Sequence, residues 1–79
     1  MGVISGIVTK GGSPVSGARV CASVGGLFSG GVTDEVRTDF QGRFTLQWSS
    51  ATDAEKIFCE GRQVMGTVKN GTNNVHIAL

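Results

Sequence analysis

The sequence predicts an all-β chain, folded as a small antiparallel Greek-key β-sandwich of about seven strands. Apolar residues recur at every second position in short runs, which is the spacing of a half-buried strand rather than of a helix. Turn signals separate these runs about every eight to twelve residues, and the 79 residues include thirteen glycines. We expect one domain over residues 1–79, near the lower size limit for a single hydrophobic core.

Two predicted strands flank the turn segment GGSPVSG (residues 11–17). Alternation sends one set of small and branched residues inward: Ile4, Gly6 and Val8 in the first strand, and Ala18, Val20 and Ala22 in the second. Gly17 permits a sharp corner with a positive φ, at which the chain changes sheet. A third strand is expected in TDEVRTD (residues 33–39), with Val36 facing inward.

The strongest strand signal is RFTLQW (residues 43–48), in which Phe44, Leu46 and Trp48 repeat at period two. Asp39 and Gly42 precede it at the first and last positions of a predicted type I turn. The polar stretch that follows, SSATDAEK (residues 49–56), is expected to be a connection that can hold one helical turn.

Three further strands are expected in the last third of the chain. IFCEG (residues 57–61) places Ile57 and Cys59 on one face, and RQVMGTVK (residues 62–69) follows it. A tight hairpin turn around Asn70-Gly71 then leads into VHIAL (residues 75–79). The inward residues of this closing strand are expected to be Val75, Ile77 and Leu79.

The charge and hydropathy patterns bear on the class of partner. A formal net charge of +1 creates no basic field for nucleic acid. No run approaches eighteen consecutive apolar residues, so we expect no membrane insertion. No signal-peptide pattern precedes the first strand. A cytoplasmic protein and part of an exported or cell-surface protein both remain open.

Five motifs occur in order along almost the whole chain. ISGIV (residues 4–8) is followed by SPVSGARV (13–20), TDFQGRFTL (38–46), CEG (59–61) and VHIAL (75–79). Together they resemble the carboxypeptidase regulatory-like domain, a transthyretin-like (prealbumin-like) β-sandwich. That family typically reads I-x-G-x-V, then a G-x-P-L-x-G-A-x-V corner, then T-D-x-x-G-x-F. The resemblance implies a transthyretin-like arrangement of strands.

The function implied by this resemblance is that of a non-catalytic accessory module, which binds or positions a protein partner or a fused domain. A second hypothesis is a β-module that binds a small ligand or carbohydrate, with Trp48 and Phe58 as stacking platforms if they are exposed. A remote third is a relative of 5-hydroxyisourate hydrolase. That enzyme is a longer chain that ends in Y-R-G-S, whereas this sequence ends in HIAL.

Few residues have the chemistry of a catalytic or metal site, and we expect no catalytic residues, cofactor or metal. Alternation turns His76 outward and Cys59 into the core. Three carboxylates (Asp34, Glu35 and Asp39) are expected on a solvated strand edge, because their spacing lacks the alternating oxygens of a calcium loop. Cys21 and Cys59 fall on unlike faces, which favours two thiols, with one disulfide as the alternative.

The glycine-rich segment GGLFSGG (residues 25–31) contains two apolar side chains, Leu27 and Phe28. They either fold back over the open end of the sandwich or form a contact for a partner. Ordering so many glycines is costly in backbone entropy. We therefore predict a mobile loop with both side chains partly buried, and we name Leu27 and Phe28 as candidate partner contacts.

Overall fold

The computed structural model describes residues 1–25 and 31–79, and within these ranges it is all-β without helix. The described strands are β1 (Gly2–Lys10), β2 (Ser13–Pro14), β3 (Arg19–Val24), β4 (Gly31–Val32), β5 (Val36–Arg37), β6 (Arg43–Trp48), β7 (Ala54–Cys59), β8 (Arg62–Met65) and β9 (Val75–Ala78). The described part of the chain thus has nine strands rather than about seven, because β2 and β4 are two-residue strands that the pattern missed. In these ranges no helix is long and apolar enough to cross a membrane.

β1 is the central strand of the first sheet, which also contains β2, β6 and β9. β2 and β6 pair with β1 antiparallel, whereas β9 pairs with it parallel, with Val8 opposite Ile77. The prediction of a purely antiparallel fold is therefore wrong at this pair. The turn around Asn70-Gly71 is present, and Thr72 N–H donates to Lys69 C=O at 3.1 Å. It carries the chain from one sheet to the other, so it is not the hairpin turn that was predicted.

The second sheet is antiparallel and contains β3, β4, β5, β7 and β8. β4 and β5 follow one another along the same side of β3, and β7 lies on its other side. The strand expected over residues 33–39 is reduced to β5. β7 begins at Ala54, within the predicted polar connection, and the residues before it form bends rather than a helical turn.

The core lies between the two sheets and matches most of the predicted inner faces. The buried members of the predicted set are Ile4, Val8, Ala18, Val20, Ala22, Phe44, Leu46, Trp48, Ile57, Cys59, Val75 and Ile77. Val36 is half-buried against this cluster. The prediction for Leu79 is wrong, since its side chain is 46% exposed beyond the end of β9.

The corner between β2 and β3 joins the two sheets. Gly17 has a φ of +74° there, as predicted, and its N–H donates to Thr38 C=O at 3.0 Å. The buried hydroxyl of Thr38 accepts from Ala18 N–H at 2.9 Å and donates to Val15 C=O. Because the corner has little regular pairing of its own, this one side chain satisfies backbone groups that burial would otherwise leave without partners.

The predicted turn before β6 is also present. Gly42 N–H donates to Asp39 C=O at 2.9 Å. The Asp39 carboxylate accepts from the N–H groups of Gln41 and Arg43, both at 2.9 Å. This turn fixes where β6 starts and so sets the register in which Phe44 faces inward.

Candidate functional site

The edges of the two sheets lie open along one side of the sandwich, where β8 ends the second sheet and β9 ends the first. Two depressions, of about 390 and 430 Å³, follow one another along these two strands. We call them together the β8–β9 groove. Its apolar lining residues are Val64, Met65, Val68, Val75, Ala78 and Leu79.

The apolar lining is incompletely covered by the protein itself. Val64 and Met65 are half-buried against the core, and Leu79 is more exposed than either. Exposed apolar side chains in a concave setting are the usual anchors of a protein contact, because a partner that covers them removes apolar area from water. The groove therefore has the physical properties of a docking surface.

The free edge of β9 adds backbone hydrogen-bonding groups to the groove. Leu79 N–H donates to Thr9 C=O on β1 at 2.8 Å. Since successive residues of a strand face opposite neighbours, the N–H and C=O groups of His76 and Ala78 must point away from β1. They have no strand partner in residues 1–25 and 31–79. An incoming extended chain can pair with such an edge.

A two-residue turn, Glu60-Gly61, positions β8 beside β7. Both residues have positive φ, 54° and 79°, the geometry of a type I′ hairpin turn that matches the twist of the flanking strands. Glutamate rarely adopts this conformation. Here its carboxylate accepts hydrogen bonds from Arg19 N–H at 2.8 Å and from the Arg19 guanidinium at 3.0 and 3.1 Å.

This pairing changes the electrostatics at one end of the groove. The hydrogen bonds from the Arg19 backbone and then from its side chain hold the pKa of the Glu60 carboxyl below its ordinary value. Reciprocally, the Glu60 carboxylate raises the pKa of Arg19. Glu60 is therefore ionised at neutral pH, and its charge is already matched by a cation.

A larger depression, of about 560 Å³, lies on the outer face of the first sheet. Polar side chains, among them Arg43, Thr45, Asn74 and His76, surround the half-buried Ile7 in its lining. Beneath it the backbone groups of β1 are already paired with β6 and β9. This surface thus offers neither a free strand edge nor more than one apolar anchor.

β6 forms the opposite edge of the first sheet. At the start of β6, the N–H and C=O groups of Arg43 are both hydrogen-bonded to Asp39. By alternation the N–H and C=O groups of Thr45 and Gln47 point to the free edge. The apolar side chains of β6 itself are buried, and the exposed apolar residue next to this edge in sequence is Phe40, which is 80% exposed in the turn before the strand rather than set in a depression along it.

The residues singled out from the sequence fall in several places. Leu27 and Phe28 lie outside the described residues. Trp48 is only 8% exposed, and its Nε1–H donates to Thr52 C=O at 3.0 Å, so its ring is a core element rather than a stacking platform. Phe58 is half-buried. His76 faces outward, as predicted, within 2.8 Å of the Thr9 hydroxyl.

Both cysteines are free thiols, with Cys59 buried and Cys21 half-buried. Burial is the main cause that raises the pKa of each thiol, and the charges of Glu35 and Glu60 add to the effect at Cys21 and Cys59 respectively. A raised pKa keeps a thiol protonated, which is the opposite of what a nucleophilic cysteine requires. Within residues 1–25 and 31–79, no three side chains of the metal-binding types come together.

Sequence comparison adds no assignment: no protein-family model matches this chain, and no curated protein matches it.

Proposed function

We propose that this chain is a non-catalytic interaction module that binds an extended segment of a protein partner, or of a fused domain, in the β8–β9 groove. The observation that carries the proposal is the coincidence of a free strand edge on β9 with incompletely covered apolar side chains from both sheets. Strand addition uses these two features together, since the backbone provides affinity and the side-chain sites provide selectivity.

The non-catalytic part of the proposal is supported by the surroundings of Cys59 and His76, which belong to the residue types best suited to catalysis. The Cys59 thiol is buried with a raised pKa, and His76 lies on the outer face of the first sheet beside Thr9. Incubation with ester, peptide and ureide substrates is expected to give no turnover. Reproducible activity that one substitution abolishes would refute this part.

We further propose that the two sheets follow the transthyretin-like Greek-key arrangement. The ordered motifs of the sequence support this proposal, together with the change of sheet at Gly17. An experimental structure whose strand order departs from that arrangement would contradict it.

The docking proposal is tested by selecting short random peptides on the immobilised chain and mapping the bound peptides by amide chemical shifts. Ala78→Pro removes an N–H that faces the groove, without removing one that pairs with β1. We expect this variant to lose peptide binding. Thr45→Pro, which removes an outward N–H at the opposite edge of the same sheet, is the matched control and should retain binding.

Two results would overturn the docking proposal. One is a selection that enriches no peptide; the other is the reverse pattern, in which Thr45→Pro abolishes binding and Ala78→Pro does not. In the second case the binding edge is β6. The shifts of Trp48 and its neighbours in the core report whether each variant remains folded.

A further inference from the structure

Resting on this proposed function, we infer that the segment bound in the β8–β9 groove is acidic: an extended partner strand in which apolar residues alternate with aspartate or glutamate. The inference comes from the distribution of charge around the groove. The whole chain has a net charge of only +1, so the distribution is local rather than global.

Cations lie at both ends of the groove. Lys10 and Arg62 border the depression at the Leu79 end, and Lys69 borders the one at the Met65 end. In the described ranges the only ion pair joins Arg19 to Glu60, so these three cations are not neutralised there. An apolar groove between unneutralised cations favours a partner that brings both apolar and anionic side chains.

The carboxylates nearest to the groove already have partners. Glu60 is held by Arg19, as described above. Asp53 accepts the N–H of Asn70 at 2.8 Å, at the turn that follows Lys69. The charge of Glu60 is therefore already matched by that of Arg19. Asp53 keeps its negative charge and offsets part of the positive field at the Lys69 end, so the uncompensated cations are mainly Lys10 and Arg62 at the Leu79 end.

The remaining acids lie elsewhere. Asp34, Glu35 and Asp39 flank β5, which pairs with β3 on the side away from β7 and β8. Glu55 lies beside Gly25, where a Cβ would meet its carboxylate at 2.6 Å. These four carboxylates therefore do not repel an acidic partner in the groove, although Arg37 and Arg43 lie among the first three and make that side mixed in charge.

The spacing of the cations fits an extended ligand. Arg62 and Lys69 are seven residues apart in sequence, which corresponds to at most about 23 Å along an extended strand. A partner strand of about six or seven residues covers that length. In such a strand every second side chain faces the groove, and the intervening ones lie toward its rim.

The test uses synthetic peptides that share the same alternating apolar residues and carry Glu, Gln or Lys at the intervening positions. Each is titrated into the full chain and followed by amide chemical shifts at low and high salt. We expect the Glu peptide to bind in the groove most tightly and to weaken with salt. Each exposed charge pair is expected to change the affinity by about 1.4- to 5-fold.

The charge reversals Arg62→Glu and Lys69→Glu, combined, should weaken the Glu peptide about 2- to 25-fold. They should strengthen the Lys peptide. The matched control is Lys56→Glu, an exposed reversal on β7 outside the residues that line the groove, and it should leave both affinities unchanged.

The outcomes separate the two proposals. Equal binding of the Glu and Gln peptides in the groove, or tighter binding of the Lys peptide, overturns the acidic partner and leaves the docking surface in place. Binding of every peptide away from β8 and β9, or of none, overturns both. An effect of Lys56→Glu as large as that of the groove reversals shows only long-range charge attraction and also overturns the inference.

Discussion

Removing the hydroxyl of Thr38 should destabilise the protein far more than removing an exposed one. In Thr38→Val the side chain keeps its shape, but Ala18 N–H, which is buried, loses its 2.9 Å acceptor. An unsatisfied buried donor costs about 1–3 kcal/mol. Val15 C=O also loses a donor, but it is only half-buried, so water can replace that bond. We therefore expect a loss of about 1.5–3 kcal/mol.

That loss is large for a chain of this size, whose total free energy of unfolding should be about 4–12 kcal/mol. Urea denaturation followed by Trp48 fluorescence measures it. With a slope of about 1 kcal/mol per molar urea, the midpoint should fall by about 1.5–3 M. The control is Thr45→Val, an exposed position on β6, expected to shift stability by less than about 0.5 kcal/mol. Equal midpoints for the two variants would refute the role given to the Thr38 hydroxyl.

Three further outcomes follow from the same geometry. Gly6→Ala should cost about 1–3 kcal/mol, because a Cβ would lie 2.0 Å from a carbonyl oxygen of β9, whereas Gly66→Ala, with open space around it, should be near neutral in the same urea assay. Because the pKa of Glu60 is lowered in the folded protein, its bonds to Arg19 contribute stability above the ordinary value of 4.5, and this stability is lost as the pH falls through the lowered pKa. In Glu60→Gln the urea midpoint should therefore depend less on pH in that acidic range. A pH dependence equal to that of the unsubstituted chain would contradict the assignment. Alkylation followed by mass spectrometry should modify the buried Cys59 more slowly than Cys21 in the native state and at a similar rate in urea, and equal native rates would count against the packing.

Alternation predicted most of the core because it depends on one local property. Along β6 polar and apolar residues alternate, so the sequence alone predicted that Phe44, Leu46 and Trp48 face inward. Alternation does not predict which other strand a given strand pairs with in the sheet. Nothing local in VHIAL distinguishes pairing parallel to β1 from a hairpin, and Leu79 has inward parity but lies beyond the strand's end.

The sequence did not predict β2 and β4, and it predicted β5 at the right place but too long, for a different reason. β2, β4 and β5 each have two residues, too few to show a period, and they exist because β1 and β3 provide pairing partners. The groove left a weak signal. Val64 and Met65 are adjacent apolar residues that interrupt alternation in β8, as occurs where an edge strand is half-covered on both sides. The other side of the groove is formed by β9, and the order of the strands in the sequence does not predict that β9 lies next to β8.

The central position of β1 has a consequence for the order of folding. Apart from the two-residue strand β2, the neighbours of β1 are distant in sequence: Ile4 pairs with Leu46 and Val8 lies opposite Ile77, about 40 and 70 residues away along the chain. The β7–β8 hairpin, by contrast, closes around two residues and can form in about 1–10 μs. Loop-closure entropy must be overcome before distant pairings contribute. We therefore expect β1 to be fixed on both sides only in the last step, when β9 pairs with it, on a timescale of milliseconds to seconds.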